Sequence, residues 1–64
     1  MKISLTSARK NANLTMAKAS KALGISSVTL RTWERGEAFP NVKFILKIEE
    51  LYKIDFHDIY WAIK

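Results

Sequence analysis

The sequence predicts an all-α fold, a compact bundle of five short helices, on three observations. Apolar residues recur at three- and four-residue spacing along most of the chain. Asn13, Gly24, Gly36 and Pro40 divide it into helix-length pieces. No region sustains the period-two alternation of a half-buried strand, so strands are not expected.

The first helix is expected to start near Ser4, as its N-cap, and to end near Asn11 or Ala12. Leu5, Ala8 and Ala12 then share its inner face. Asn13 tolerates the left-handed backbone that closes a helix. Thr15 is the N-cap candidate for a second helix, Met16 to Leu23, rich in the strong helix former alanine. Gly24 stands where a helix C-terminus favours positive φ. Ser26 caps a third helix over about 26–35, with Leu30 and Trp33 inward and Gly36 as its stop. Asn41 caps the fourth, in which Val42, Ile45, Leu46, Ile48, Leu51 and Tyr52 form an apolar stripe. Asp55 is expected to cap a fifth helix from Phe56 to about Trp61, with Phe56, Ile59 and Tyr60 facing inward.

A chain of 64 residues supports a single domain, residues 1–64, and its start at Met1 fits a complete small gene product. A domain near this size buries only about 60% of the surface of its unfolded chain. It therefore depends on dense helix packing, on a partner subunit, or on both. Cysteine is absent, which removes disulfides, thiolate metal sites and a thiol nucleophile, and suits a reducing cytoplasm. No stretch approaches the roughly 18 apolar residues of a membrane span, and the first residues lack the apolar core of a signal peptide. A cytoplasmic protein without a membrane partner is expected.

Eleven Lys and Arg face six Asp and Glu, for a formal net charge of +5. The distribution is more informative than the total. Residues 1–33 contain no acid but carry Lys2, Arg9, Lys10, Lys18, Lys21 and Arg31. Such a basic half fits a polyanion-binding face, although surface solubility alone also yields it.

The informative segment is 15–35. A capped helix ends at a glycine, Ile25 follows, and a second capped helix begins within three residues, the sequence form of two helices joined by a tight turn. The outer face of the second helix carries Ser27, Val28, Arg31, Thr32 and Arg35, nearly free of bulky apolar groups. A helix with that face can enter the DNA major groove, about 12 Å wide.

The spaced set Ala8-Arg9, Leu14-Thr15, Leu23-Gly24-Ile25-Ser26, Leu30, Trp33-Glu34-Arg35-Gly36, Pro40, Ile45-Leu46-Lys47-Ile48 and Ile54 to Ile59 resembles the phage Cro and repressor type of helix-turn-helix domain. The likeness covers residues 5–60, and its most specific run is Trp33-Glu34-Arg35-Gly36. It implies a five-helix, lambda-repressor-like bundle whose third helix is the recognition helix. It also implies a structural ion pair between Arg9 and Glu34, in which a planar guanidinium fork suits a carboxylate. The same likeness assigns base reading to Ser27, Val28 and Thr32, and the phosphate-facing start of the second helix to Thr15 and Met16. Arg35, Lys43 and Lys10 are candidates for further phosphates, and Arg31 can reach a guanine or a phosphate. Val28 suits a thymine methyl better than a polar base edge.

Four positions depart from the family pattern. Met16 stands where a glutamine is frequent, Ala19-Ser20 replace a Leu-Ala pair, and Glu49 replaces a small apolar residue. Ser20 and Glu49 need polar partners if buried.

No cofactor, metal site or enzyme activity is expected. His57 stands without a second His or a Cys, and Asp55 and Asp58 are explained by capping. Trp33 reads as core rather than as a stacking platform. Trp61 either caps the core or joins Ile63 in a dimer contact, the reading preferred here. The resemblance thus implies a sequence-specific double-stranded DNA-binding transcriptional regulator, a homodimer on a palindromic operator that acts by occupying it. The alternative is a protein-interaction module with the same fold, such as an antirepressor or an antitoxin-like partner.

Overall fold

The computed structural model describes residues 2–61. Within them the chain forms four α-helices: α1 (Leu5–Asn11), α2 (Met16–Leu23), α3 (Ser27–Glu34) and α4 (Val42–Tyr52). Each opens on the cap expected of it. The side chains of Ser4, Thr15, Ser26 and Asn41 accept the backbone N–H groups of Ser7, Lys18, Thr29 and Phe44. Each cap satisfies one of the amides that a helix start leaves without an internal partner. The exits are left-handed at Asn13 (φ 60°), Gly24 (φ 74°), Gly36 (φ 77°) and Lys53 (φ 54°). Lys53 holds this conformation without the freedom of a glycine.

The fifth helix is not formed. Asp55 caps as expected, but only a single 3-10 turn, Phe56–Asp58, follows. The Asp55 carboxylate accepts the His57 N–H at 2.8 Å, and the Glu49 carboxylate accepts the Phe56 N–H at 2.6 Å. These two bonds tie the turn to its own cap and to α4. The chain then runs extended. Ile3–Ser4 (β1) and Ile59–Tyr60 (β2) pair in parallel, with Ile3 opposite Ile59 and Ser4 opposite Tyr60. The fold is therefore mostly helical rather than all-α. In β2 the side chains alternate across the strand, as the pleat requires. Ile59 is buried, while Tyr60, expected to face inward, is 59% exposed.

The core lies where α1, α2, α3 and α4 meet, around Leu23, Leu30 and Ile48, with Ile59 completing it from β2. Trp33 is buried there, and its ring centroid lies 5.5 Å from that of Phe44. The inner face of α4 differs from the expected stripe. Ile48 and Tyr52 are buried, but Val42 and Leu46 are 70% and 58% exposed. Leu46 stands two residues from Ile48, about 200° round a helix of 3.6 residues per turn, so the two cannot share a face. Phe44 takes the inward place.

The departures from the family pattern have local answers. Ala19 is fully buried. Ser20 is buried as well, and its hydroxyl donates to the Ala17 carbonyl at 3.1 Å. Glu49, half-buried, binds the Phe56 amide as described. Among the described residues, no helix is long and apolar enough to cross a membrane.

Candidate nucleic-acid interface

The residues Gly24-Ile25-Ser26 join α2 to α3. Gly24 turns the chain in the left-handed region, and its N–H closes onto the Lys21 carbonyl at 3.1 Å. The Ile25 N–H reaches the Ser20 carbonyl at 3.0 Å, and Ile25 packs against the core. Ser26 then caps α3. Leu30 and Trp33 anchor this helix from below, which turns the opposite face outward.

That face carries Ser27, Val28, Arg31 and Arg35 exposed, with Thr32 half-buried. Val28 is 68% exposed although it is a β-branched apolar residue. The Thr32 hydroxyl donates to the Val28 carbonyl at 2.9 Å. Arg35 stands at the C-cap of α3, and its guanidinium lies 3.8 Å from the Glu37 carboxylate. Both groups are well exposed, so this contact is weak and the arginine is available to a stronger anion.

At the start of α2, Thr15 is exposed and its hydroxyl oxygen accepts the Lys18 N–H at 3.2 Å. Its O–H proton remains for an outside acceptor. The first intrahelical bond is made by the Ala19 N–H to the Thr15 carbonyl. The amides of Met16 and Ala17 therefore stand ahead of the helical ladder, where an anion is favoured. The Met16 side chain is half-buried and packs against the core, so it leaves only its backbone to meet an anion.

Arg9 and Glu34 meet. The Arg9 Nε donates to the Glu34 Oε2 at 2.8 Å, and Nη1 donates to the Leu14 carbonyl at 3.0 Å. Thr6, not singled out from the sequence, donates its hydroxyl to the Glu34 Oε1 at 2.8 Å. Thr6 lies three residues before Arg9, the spacing that puts two side chains on one helix face, and this signal could have found it. The network fixes the end of α3 to α1 and pairs the one acid of that helix. Lys10 adjoins Arg9, and Lys43 adjoins Phe44, which packs on Trp33. Both lysines are exposed beside residues that hold the C-terminal end of α3.

Trp61 is half-buried against the core, its ring centroid 5.0 Å from Phe39 and 5.6 Å from Phe56. Phe39 is 45% exposed and was not anticipated. Its position directly before Pro40, between two punctuated helices, reads as a loop residue. Ile63 lies outside the described residues.

A model of the helix-turn-helix family matches residues 5–59, all but the two ends of the chain. No curated protein and no solved structure matches significantly. The two capped helices joined at Gly24, the polar outer face of α3 and the family match agree with one another. This chain belongs to the Cro/C1-type helix-turn-helix family of DNA-binding transcriptional regulators, which is not enzymatic.

Proposed function

We propose that this protein is a sequence-specific regulator that binds double-stranded DNA as a homodimer and acts by occupying a palindromic operator in the cytoplasm. The observation that carries this reading is the outer face of α3. Ser27, Val28, Arg31 and Thr32 have no core duty to perform, and the helix that bears them is held rigidly by Leu30, Trp33 and Glu34. Ser27, Val28, Arg31 and Thr32 read bases. Thr15, the Met16 amide, Lys10, Arg35 and Lys43 take phosphates, which position the helix without carrying sequence information.

The dimer reading rests on apolar residues of the chain that follows α3. Phe39, Phe56 and Trp61 form an aromatic group there. Val42 follows three residues after Phe39 and Leu46 one helical turn later, both exposed. The contact is thus assigned to the loop before α4, the outer row of α4 and the segment at Trp61. A domain with Cα extents of 27 × 24 × 20 Å can sit beside a copy of itself with reading helices one DNA turn, about 34 Å, apart.

Selection of bound duplexes from a random pool at physiological salt tests the proposal. Enrichment of a two-fold symmetric motif, with affinity that falls steeply as salt rises, is the expected result. Recovery of unenriched sequence, together with a protein partner captured through the Phe39 and Trp61 surface, would favour the interaction-module reading instead.

A further inference from the structure

We propose that Val28 and Thr32 form a single reading unit that accepts a thymine methyl group and, on the adjoining base pair, an exocyclic amine. The inference rests on the duplex-reading role proposed above and specifies what that face reads.

The argument starts from the Thr32 hydroxyl. Threonine is usually an ambivalent reader, because its hydroxyl can donate or accept. Here the proton is committed. Oγ1 donates to the Val28 carbonyl at 2.9 Å, one turn back along the same helix. What the side chain offers outward is oxygen lone pairs and a methyl group. A base edge made only of acceptors, such as guanine O6 and N7, finds no donor at Thr32. Donation to it would first break the bond to Val28, so the gain is largely offset. The edges that fit are the amines, adenine N6 or cytosine N4.

Val28 supplies the other half. It is 68% exposed, with a short branched side chain that cannot fold back over the helix. In the major groove its apolar complement is the C5-methyl of thymine. Residues four apart on a helix have Cβ atoms about 5–6 Å apart, more than the roughly 3.4 Å rise between base pairs and less than twice that rise. Side chains so spaced on a helix that lies along the groove can meet neighbouring base pairs. The same hydrogen bond couples them, because the Thr32 rotamer is set by the carbonyl of Val28.

The test uses the duplex recovered by the selection, altered one atom group at a time in one half-site. Replacing thymine by deoxyuridine removes only the methyl. Replacing adenine or cytosine by the analogue without its exocyclic amine removes only the donor. One deoxyuridine position is expected to weaken binding about fourfold, the worth of one buried apolar carbon. The neighbouring amine deletion is expected to weaken it roughly three- to tenfold, the worth of one neutral hydrogen bond. Val28→Ala should lose the response to deoxyuridine. Thr32→Val, equal in shape but without the acceptor, should lose the response to the missing amine, and Thr32→Ser should keep it. Both positions lie on the outer face, and thermal melting of each variant checks that the fold is intact.

A tight, palindromic duplex whose affinity changes less than twofold at every deoxyuridine position overturns this inference and leaves the regulator reading standing. So does a Thr32→Val protein that still responds to the missing amine. Failure of any duplex to be enriched overturns the regulator reading itself, and this inference with it.

Discussion

Glu34 ties α3, the helix of the candidate interface, to α1. Its two carboxylate oxygens are held by Thr6 and Arg9 at 2.8 Å each, and the Arg9 and Glu34 side chains retain only 10% and 6% of their exposure. An ion pair this buried adds little against an apolar replacement of the same shape, but loss of one partner strands the other charge. Glu34→Ala is expected to cost about 3 kcal/mol or more, read from urea denaturation, whereas Arg9→Met with Glu34→Leu together should cost far less. Tyr52 lies in the field of the same pair. Burial, with the Glu34 charge adding and Arg9 opposing, pushes its pKa from 10.0 up to about 12. The neutral phenol is thus favoured in the folded state. Its contribution is fully present below pH 10 and is lost as the pH rises towards 12. Its hydroxyl is also buried without a hydrogen-bond partner. Tyr52→Phe should leave stability at neutral pH unchanged or raised, and its advantage over the parent should grow from pH 10 to pH 12 by about 2 kcal/mol at most. Chemical denaturation of both proteins across that range measures the difference.

At the scale of elements, the helix boundaries follow from local chemistry and were therefore legible. Ser4, Thr15, Ser26 and Asn41 each act within three residues of themselves, and Asn13, Gly24 and Gly36 each act on their own φ. The parallel pair was not legible. It joins Ile3 to Ile59 across nearly the whole chain, and strands of two residues are too short to display a period. The fifth helix failed for the same reason. A bond from Glu49 to the Phe56 amide and a pairing with the N-terminal strand outweighed the local helix signal at Asp55. On α4, counting apolar residues placed Val42 and Leu46 in the core. Only the angle to Ile48 and Tyr52 separates the buried row from the exposed one. At the candidate site, the helix phase gave the outward residues of α3, but the commitment of the Thr32 proton to Val28 depends on a rotamer and not on spacing. Lys53 carries a prediction at this scale. It ends α4 at φ 54° with the Cβ penalty that glycine avoids. Lys53→Gly is expected to stabilise the domain by about 0.5–1 kcal/mol. Thermal unfolding should show this as a rise of several degrees, near the 4–8 °C per kcal/mol of small domains.

In the proposed complex the whole molecule divides its labour between two surfaces. One is the polar outer face of α3 with its flanking cations. The other is assigned to Phe39, Phe56 and Trp61, with the exposed Val42 and Leu46 of α4. Phe39, exposed and in contact with the half-buried rings of Phe56 and Trp61, leaves aromatic area in water on a monomer this small, which is costly. In the proposed homodimer a second copy covers that area and also supplies the burial that a short chain lacks. If this is the dimer contact, it must be coupled to operator affinity in a defined way. A single domain on a half-site uses α3 alone. Two joined domains on a full site gain from the effective concentration that the contact provides. Phe39→Ser removes an aromatic group that is 45% exposed and holds no place in the core, so folding should survive. At a two-fold contact each substitution is counted twice. Affinity for the full palindrome is expected to fall about tenfold or more, towards that of a half-site. Affinity for an isolated half-site should stay within twofold of the parent. Titrations of the two duplexes, beside sedimentation of the free protein, separate the outcomes. An equal loss on both duplexes would place Phe39 at the DNA, and no loss on either would remove this surface from the operator complex.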